Sequence, residues 1–216
     1  MREGYKRTRV KICGIIRIDD ALVSVECGAD AVGFVFHEPS CRYIDPGKAR
    51  EINEQLPPFV KTVGVFADEK ADDVVKAYIE SGVDAVQCMN TDGPFPGIPL
   101  SSIIPVVRVG NESGERMMTS ITDKRAVLLD TFVPGEKGGT GRTFDWDIAK
   151  QYALSRRIIV AGGLSPENIF DLITRVTPYG VDVSSGVEVS PGKKDHEKIA
   201  RFFERVRTAD EHIRGA

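Results

Sequence analysis

Cysteine is scarce. Only Cys13, Cys27, Cys41 and Cys88 occur, too few and too irregularly spaced for a disulfide framework or a zinc knuckle. Free thiols fit a reducing cytoplasm. Histidine is scarcer still. His37, His196 and His212 do not fall at ligand spacing, and no metal is expected. No apolar run approaches the roughly 20 residues a helix needs to span a bilayer. The polar, basic stretch from Met1 to Arg9 has no apolar segment behind it to form a secretory signal. Nor is there an excess of positive charge. The formal net charge of −3 argues against nucleic acid or an acidic membrane as a partner. An anionic ligand must therefore be caught by local groups against a mildly repulsive field.

What remains is a soluble composition, 41% hydrophobic and 28% charged over 216 residues. That is enough chain to bury a proper core as one domain, 1–216. One junction recurs: Gly28-Ala29-Asp30-Ala31-Val32, Gly82-Val83-Asp84-Ala85-Val86 and Gly180-Val181-Asp182-Val183. Each reads as a helix C-terminal glycine, a short turn and then a strand. The first two start 54 residues apart, twice the average of 27 that eight units would have in a chain of 216. Repetition of one junction favours a βα array.

Eight short apolar runs follow, at 10–13, 31–36, 62–66, 85–88, 104–109, 126–129, 158–161 and 181–183. Continuous apolar strands are expected where both sides of a parallel sheet are covered. Helical periodicity places Ile18, Ala21, Leu22 and Val25 on one face, and Ile199, Phe202, Phe203 and Val206 on another. Asp45 and Pro46 open a helix, as do Ser165 and Pro166. The stretch 90–100 is broken by Gly93-Pro94-Phe95-Pro96, and 113–121 is poorly marked. The expected fold is a single α/β (β/α)₈ TIM barrel with irregular fourth and fifth helices.

Active sites of such barrels lie at the C-terminal ends of the strands. Those positions hold Cys13 after the first strand, Asp130 after the sixth and Asp182 near the end of the eighth. A thiol and a carboxylate in one mouth suit proton transfer. Ala161-Gly162-Gly163-Leu164 and Val183-Ser184-Ser185-Gly186-Val187-Glu188 end two late strands in small residues. Their backbone amides can converge on one phosphate where barrels commonly hold it. Gly162 and Gly163 allow close approach, with the hydroxyl of Ser184 or Ser185 assisting. Taken singly, Cys13 reads first as a small buried hydrophobe; Asp130 has a loop-capping carboxylate as its rival reading, but its place after a buried apolar strand favours an inward functional role. Trp146 and Phe144 read as core anchors.

Lys11-Ile12-Cys13-Gly14, Ser40-Cys41-Arg42-Tyr43-Ile44, Leu128-Leu129-Asp130-Thr131, Gly138-Gly139-Thr140-Gly141 and the two glycine- and serine-rich segments together resemble the phosphoribosylanthranilate isomerases of tryptophan biosynthesis. The resemblance runs from Lys11 to about Asp195. It implies an Amadori rearrangement of a phosphosugar substrate, without metal or organic cofactor. By position, Cys13 resembles the family's general base and Asp130 its general acid. Arg42 resembles the clamp for the anthranilate carboxylate, a planar fork on a planar anion. Asp182 either orients the substrate or braces its strand. Gly163, Ser185 and Gly186 would hold the phosphate, and the loop 138–142 would cover the mouth. Two positions depart from the pattern: Cys41 stands where a proline often precedes the arginine, and no histidine follows Gln87.

Such chemistry asks opposite things of the two groups. Asp130 must hold a proton near neutrality, through desolvation or a neighbouring negative charge. Cys13 must release one readily, which an amide-rich mouth would help. The nearest rival is another phosphosugar isomerase or epimerase on the same barrel. A more distant one is a non-catalytic phosphate-binding or thiol redox module. As a monomer or a homodimer, the protein is expected in the cytoplasm.

Overall fold

The computed structural model describes residues 7–89, 95–109, 118, 126–131 and 146–215. Eight strands close into one barrel: β1 (Arg9–Cys13), β2 (Ala31–Val35), β3 (Lys61–Val65), β4 (Ala85–Cys88), β5 (Ile103–Val109), β6 (Val127–Thr131), β7 (Ile158–Val160) and β8 (Gly180–Val183). Every neighbour pairs in parallel. Closure is made by β1 against β8, with Lys11 beside Asp182 and Ile12 beside Val183.

Alternation along each strand decides what each residue meets. On β1, Val10 and Ile12 join the main core with residues of the surrounding helices, such as Ala21 and Phe202. Lys11 and Cys13 turn to the barrel interior, where they line cavities. A second small cluster of Val106, Leu128 and Ala161 fills the interior from β5, β6 and the end of β7. Each fully buried Val, Ile or Leu contributes about 1.5–3 kcal/mol. The wall can therefore tolerate a polar interior.

The helices are α1 (Ile18–Cys27), α2 (Pro46–Asn53), α3 (Ala71–Ser81), α4 (Trp146–Ala153), α5 (Ile169–Val176) and α6 (His196–Gly215). Asp45 caps α2 as expected, its side chain accepting from the amides of Gly47 and Lys48. Ile199, Phe202, Phe203 and Val206 of α6 are all buried, also as expected. Gly28 and Gly82 end α1 and α3 in the left-handed conformation that glycine adopts without strain.

Three expectations need correction. Leu22 does not share the buried face of α1; it is exposed, and α1 buries Asp20, Ala21 and Ser24 instead. Gly180 is not a helix cap; it is the first residue of β8, and Thr177 ends α5. The α-helix after β7 begins at Ile169, not at Pro166. Residues 165–168 form a turn instead, in which the Asn168 side chain accepts from the Ser165 amide and donates to the Gly163 carbonyl. Between β4 and β5 the described residues hold only a 3₁₀ turn, Leu100–Ser102. Most of the expected fifth helix, the loop 138–142 and Phe144 lie outside the described residues. Trp146 packs against the main core, partly buried.

Beyond β8 a 3₁₀ turn (Ser185–Val187) leads into a small antiparallel pair, β9 (Glu188–Ser190) and β10 (Lys193–Lys194). Asp20 of α1 accepts from the Lys194 amide and meets His196 Nε2 at 2.9 Å. This pins the pair beside the start of β1.

Candidate active site

The barrel has a cavity at each end. The lower one, about 870 Å³, is lined by strand beginnings, with Arg9, Asp30, Lys61, Asp84 and Tyr179 among its polar groups. Those charges serve the framework: Asp30 accepts from the Val10 amide, and Asp84 from the Thr62 amide and Lys61 Nζ. The upper one, about 200 Å³, is smaller but gathers the strand C-termini. Volume does not decide between them; the chemistry of the lining does.

Eight of the nine residues singled out in the sequence line the upper cavity: Cys13, Arg42, Asp130, Gly162, Gly163, Asp182, Ser184 and Ser185. Gly186 stands just behind. A Cβ there would lie 1.8 Å from the Leu164 carbonyl oxygen. The loop after β8 therefore rests directly on the loop after β7, and the two small-residue segments form one wall. Ser184 Oγ donates to the Cys13 carbonyl at 3.1 Å, so its proton is already spent on bracing β1. Asp130 is not beyond its strand as expected, but its penultimate residue, half-buried on the cavity.

Register explains why one of three equivalent aspartates differs. In the first two junctions the aspartate precedes its strand and ties neighbouring backbone at the barrel bottom. In the third the strand starts at the glycine, which carries Asp182 two residues up into the interior. There it is 6% exposed, with Oδ2 2.7 Å from Lys11 Nζ. Lys11 also donates to Gln87 Oε1 at 3.0 Å. Burial opposes the ammonium, yet Asp182 and Cys13 outweigh it and hold the Lys11 pKa above its usual value. Asp182 Oδ1 is buried without a partner.

A second buried charge group stands on the other side of Cys13. Lys194 Nζ donates to the Cys13 carbonyl at 2.6 Å, to Glu188 Oε1 at 2.8 Å and to the Ser184 carbonyl at 3.3 Å, using all three of its protons. Glu188 meanwhile accepts a bidentate pair from Arg42, Nε at 2.9 Å and a terminal nitrogen at 2.7 Å. Burial would raise the Glu188 carboxyl, but Arg42 and Lys194 hold it below the ordinary carboxylate range. Arg42 thus reaches the mouth already fixed in a plane, its other terminal nitrogen turned to Cys41 Sγ at 3.6 Å. Gly14 makes room for it, since a Cβ there would meet Arg42 Cδ at 2.6 Å.

The thiol departs from expectation. Burial pushes the Cys13 pKa above its usual value; Lys11 and Lys194 draw it down, and the Asp182 charge adds to the rise. An amide-rich mouth does not by itself ionise a sulfur that water hardly reaches. His37, given no role from sequence, lines the same cavity, its Nδ1 2.6 Å from Glu69 Oε1. That contact joins the loops after β2 and β3.

Such a mouth, with a thiol, a carboxylate, a fixed guanidinium and paired small-residue loops, admits several phosphosugar reactions. The family profile of N-(5'phosphoribosyl)anthranilate (PRA) isomerase matches residues 10–205. The chain belongs to this family. An N-(5'-phosphoribosyl)anthranilate isomerase of Geobacter sp. (strain M21) is 46% identical over 198 residues, 90% of this chain and 96% of the relative. A phosphoribosyl anthranilate isomerase solved in complex with reduced 1-(o-carboxyphenylamino)-1-deoxyribulose 5-phosphate has a TM-score of 0.79 at 41% identity, covering 93% of this chain and 99% of that one. Monomers generated from the dimeric enzyme of Thermotoga maritima give 0.78 at 39% identity, covering 93% and 98%. The isomerase activity is the Amadori rearrangement of N-(5-phosphoribosyl)anthranilate in tryptophan biosynthesis.

Lys11, Gln87, Glu188 and Lys194 were not assigned from the sequence. Lys11 carried the one usable signal: a charge two residues before Cys13 in an apolar strand, on the same face.

Proposed function

We propose that Cys13 is the base and Asp130 the acid of this isomerase. The observation that carries the reading is that both line one cavity at the C-terminal ends of β1 and β6, beside Arg42 and the two stacked loops. Asp130 gives its proton to the furanose ring oxygen, and the ring opens to the protonated Schiff base. The Cys13 thiolate takes the proton from C2 of the sugar, leaving an enolamine. That species gains a proton at C1 and loses one from the C2 hydroxyl, giving the ketone. Proton exchange with solvent then restores the acid and the thiolate.

Arg42 offers its outer nitrogen to the anthranilate carboxylate, with Glu188 keeping the fork in place. The amides of Gly163, Ser185 and Gly186 hold the phosphate, Gly162 letting the backbone come close and the Ser185 hydroxyl adding a donor. Asp182 Oδ1, buried and unpartnered, accepts a hydrogen from a sugar hydroxyl. Cys13→Ser and Asp130→Asn should each lower turnover by at least about 10²-fold, the scale of acid–base groups, with circular dichroism unchanged. The loss of anthranilate fluorescence as substrate is consumed reads the rate. Near-normal turnover in either variant overturns the assignment.

For assembly, we propose that two copies pair through the barrel bottom. Phe59 is 96% exposed and Leu100 59%, and both stand on the rim of the lower cavity. A large apolar residue so displayed on a concave face suits a self-complementary contact, and a relative is described as dimeric. Sedimentation should show a dimer at micromolar concentration and a monomer after Phe59→Asp. A wild-type monomer refutes the pairing. Among the described residues no helix is long and apolar enough to cross a membrane, and we place the enzyme in the cytoplasm with its four free cysteines.

A further inference from the structure

Lys11 and Cys13 leave β1 on the same face and meet above Gly33 of β2. A Cβ on Gly33 would lie 3.0 Å from Cys13 Sγ, 3.0 Å from Lys11 Nζ and 2.9 Å from Lys11 Cε. The ammonium and the sulfur are therefore at most about 6 Å apart, over backbone that leaves no side chain between them. Two acceptors hold the ammonium, Asp182 Oδ2 at 2.7 Å and Gln87 Oε1 at 3.0 Å. An ammonium has three donors; Asp182 and Gln87 take two of them, and the sulfur lies beside the same ammonium above Gly33. Lys11 lines the lower cavity while Asp182, Gln87 and Cys13 line the upper one. It is thus a cation fixed in the floor beneath the substrate.

We propose that Lys11 is a positioning residue for the isomerisation: its immobilised ammonium offsets part of the cost of burying charge on the Cys13 sulfur and so stabilises the thiolate through which the reaction passes. The proposal rests on the reading of Cys13 as the base.

Other charges face the sulfur too. Lys194 approaches from β10 and Arg42 from the loop after β2, but both are bound to Glu188. Asp130 stands on the same cavity from β6. Asp182, on β8, repels a thiolate while it anchors Lys11. Of the cations, Lys11 draws the thiol down most strongly, ahead of Lys194, and it stands with the sulfur above Gly33. It keeps its proton throughout: the thiol proton leaves to solvent, and the C2 proton of the substrate replaces it. A compact point charge suits this interior position better than the broad guanidinium fork.

The test uses no substrate. Iodoacetamide alkylation of Cys13 in the intact enzyme is followed by mass spectrometry of its own peptide, since Cys27 and Cys41 are open to the reagent as well. In Lys11→Met the Cys13 rate at pH 7 should fall at least tenfold and its pH midpoint rise by at least about one unit, the two being equivalent. Lys11→Arg should recover part of the rate. In Asp182→Asn the rate should increase several-fold, because the repelling charge is gone while Gln87 still holds the lysine. A purely structural role would move both variants in the same direction. An unchanged rate in Lys11→Met, or a slower one in Asp182→Asn, overturns the proposal; the second result stands even if Lys11→Met does not fold. Failure here with Cys13→Ser inactive spares the base assignment. An active Cys13→Ser enzyme removes that assignment while alkylation still reports the Lys11–Cys13 coupling.

Discussion

Gly186→Ala adds a single methyl group at the contact on which the proposed phosphate wall depends. Its Cβ would sit 1.8 Å from the Leu164 carbonyl oxygen and 2.8 Å from the carbon behind it. Real Cβ atoms do not approach closer than about 3.0 Å, so the two loops must separate by at least about 1.2 Å. The obstacle is backbone, which cannot rotate away like the end of a side chain. Overpacking of this kind costs about 1–3 kcal/mol of stability. The functional effect should be larger, because a shift near 1 Å in positioning groups lowers rates by about 10²-fold. Steady-state kinetics on freshly made phosphoribosylanthranilate should show most of the loss in KM, since the contact lies within the proposed phosphate wall and neither Cys13 nor Asp130 takes part in it. Inorganic phosphate should also lose its power to compete. A variant whose KM and phosphate inhibition stay within threefold of wild type would refute both the tight contact and the phosphate wall.

Glu188→Gln leaves Lys194, whose side chain is fully enclosed, without its counter-charge. Breaking a buried pair from one side costs about 3–5 kcal/mol, which a urea titration would resolve. Acid titration gives the sign of the same interaction. The Glu188 carboxyl is held below its ordinary 4.5, so its contribution is complete above that pH and lost as pH falls through the lower folded value. Wild-type stability should drop in that window, and the Gln variant should lack that component; parallel curves would contradict it. Asp210→Ala removes the acceptor for the Thr8 amide and hydroxyl, costing on the order of 1–3 kcal/mol for each donor left unpaired, as scanning calorimetry would show.

The barrel was legible because its signal is redundant. Eight apolar runs each had to be covered on both faces, and errors of a residue or two at their ends changed nothing that closes the sheet. The site was legible where chemistry coincides with a strand end, as at Cys13, or with small residues that have few other uses, as at 162–163 and 184–186. It failed where a residue's meaning depends on its partner. Glu188 was visible as the end of a motif, but its bond to Arg42 spans 146 positions. Lys194 lies in an ordinary-looking basic pair, and only the β9–β10 turn folds it under Cys13. Local pattern also misled at Ser165-Pro166, where the Asn168 side chain takes over the turn that a capped helix would have made.

Asp182 shows why pattern and position must be separated. Gly-Val-Asp at 82–84 and at 180–182 is the same tripeptide, yet one aspartate fastens the barrel floor and the other faces its chemistry. The difference is where pairing begins: β4 starts after the aspartate and β8 at the glycine. With a rise of about 3.3 Å per residue, starting the strand three residues earlier in the motif raises the third carboxylate by about 10 Å along its own strand. That is enough to bring it level with Lys11, its partner in the β1–β8 register. A buried carboxylate there is tolerable only with a cation beside it. The register that closes the barrel thus also creates the lysine–aspartate pair beneath Cys13.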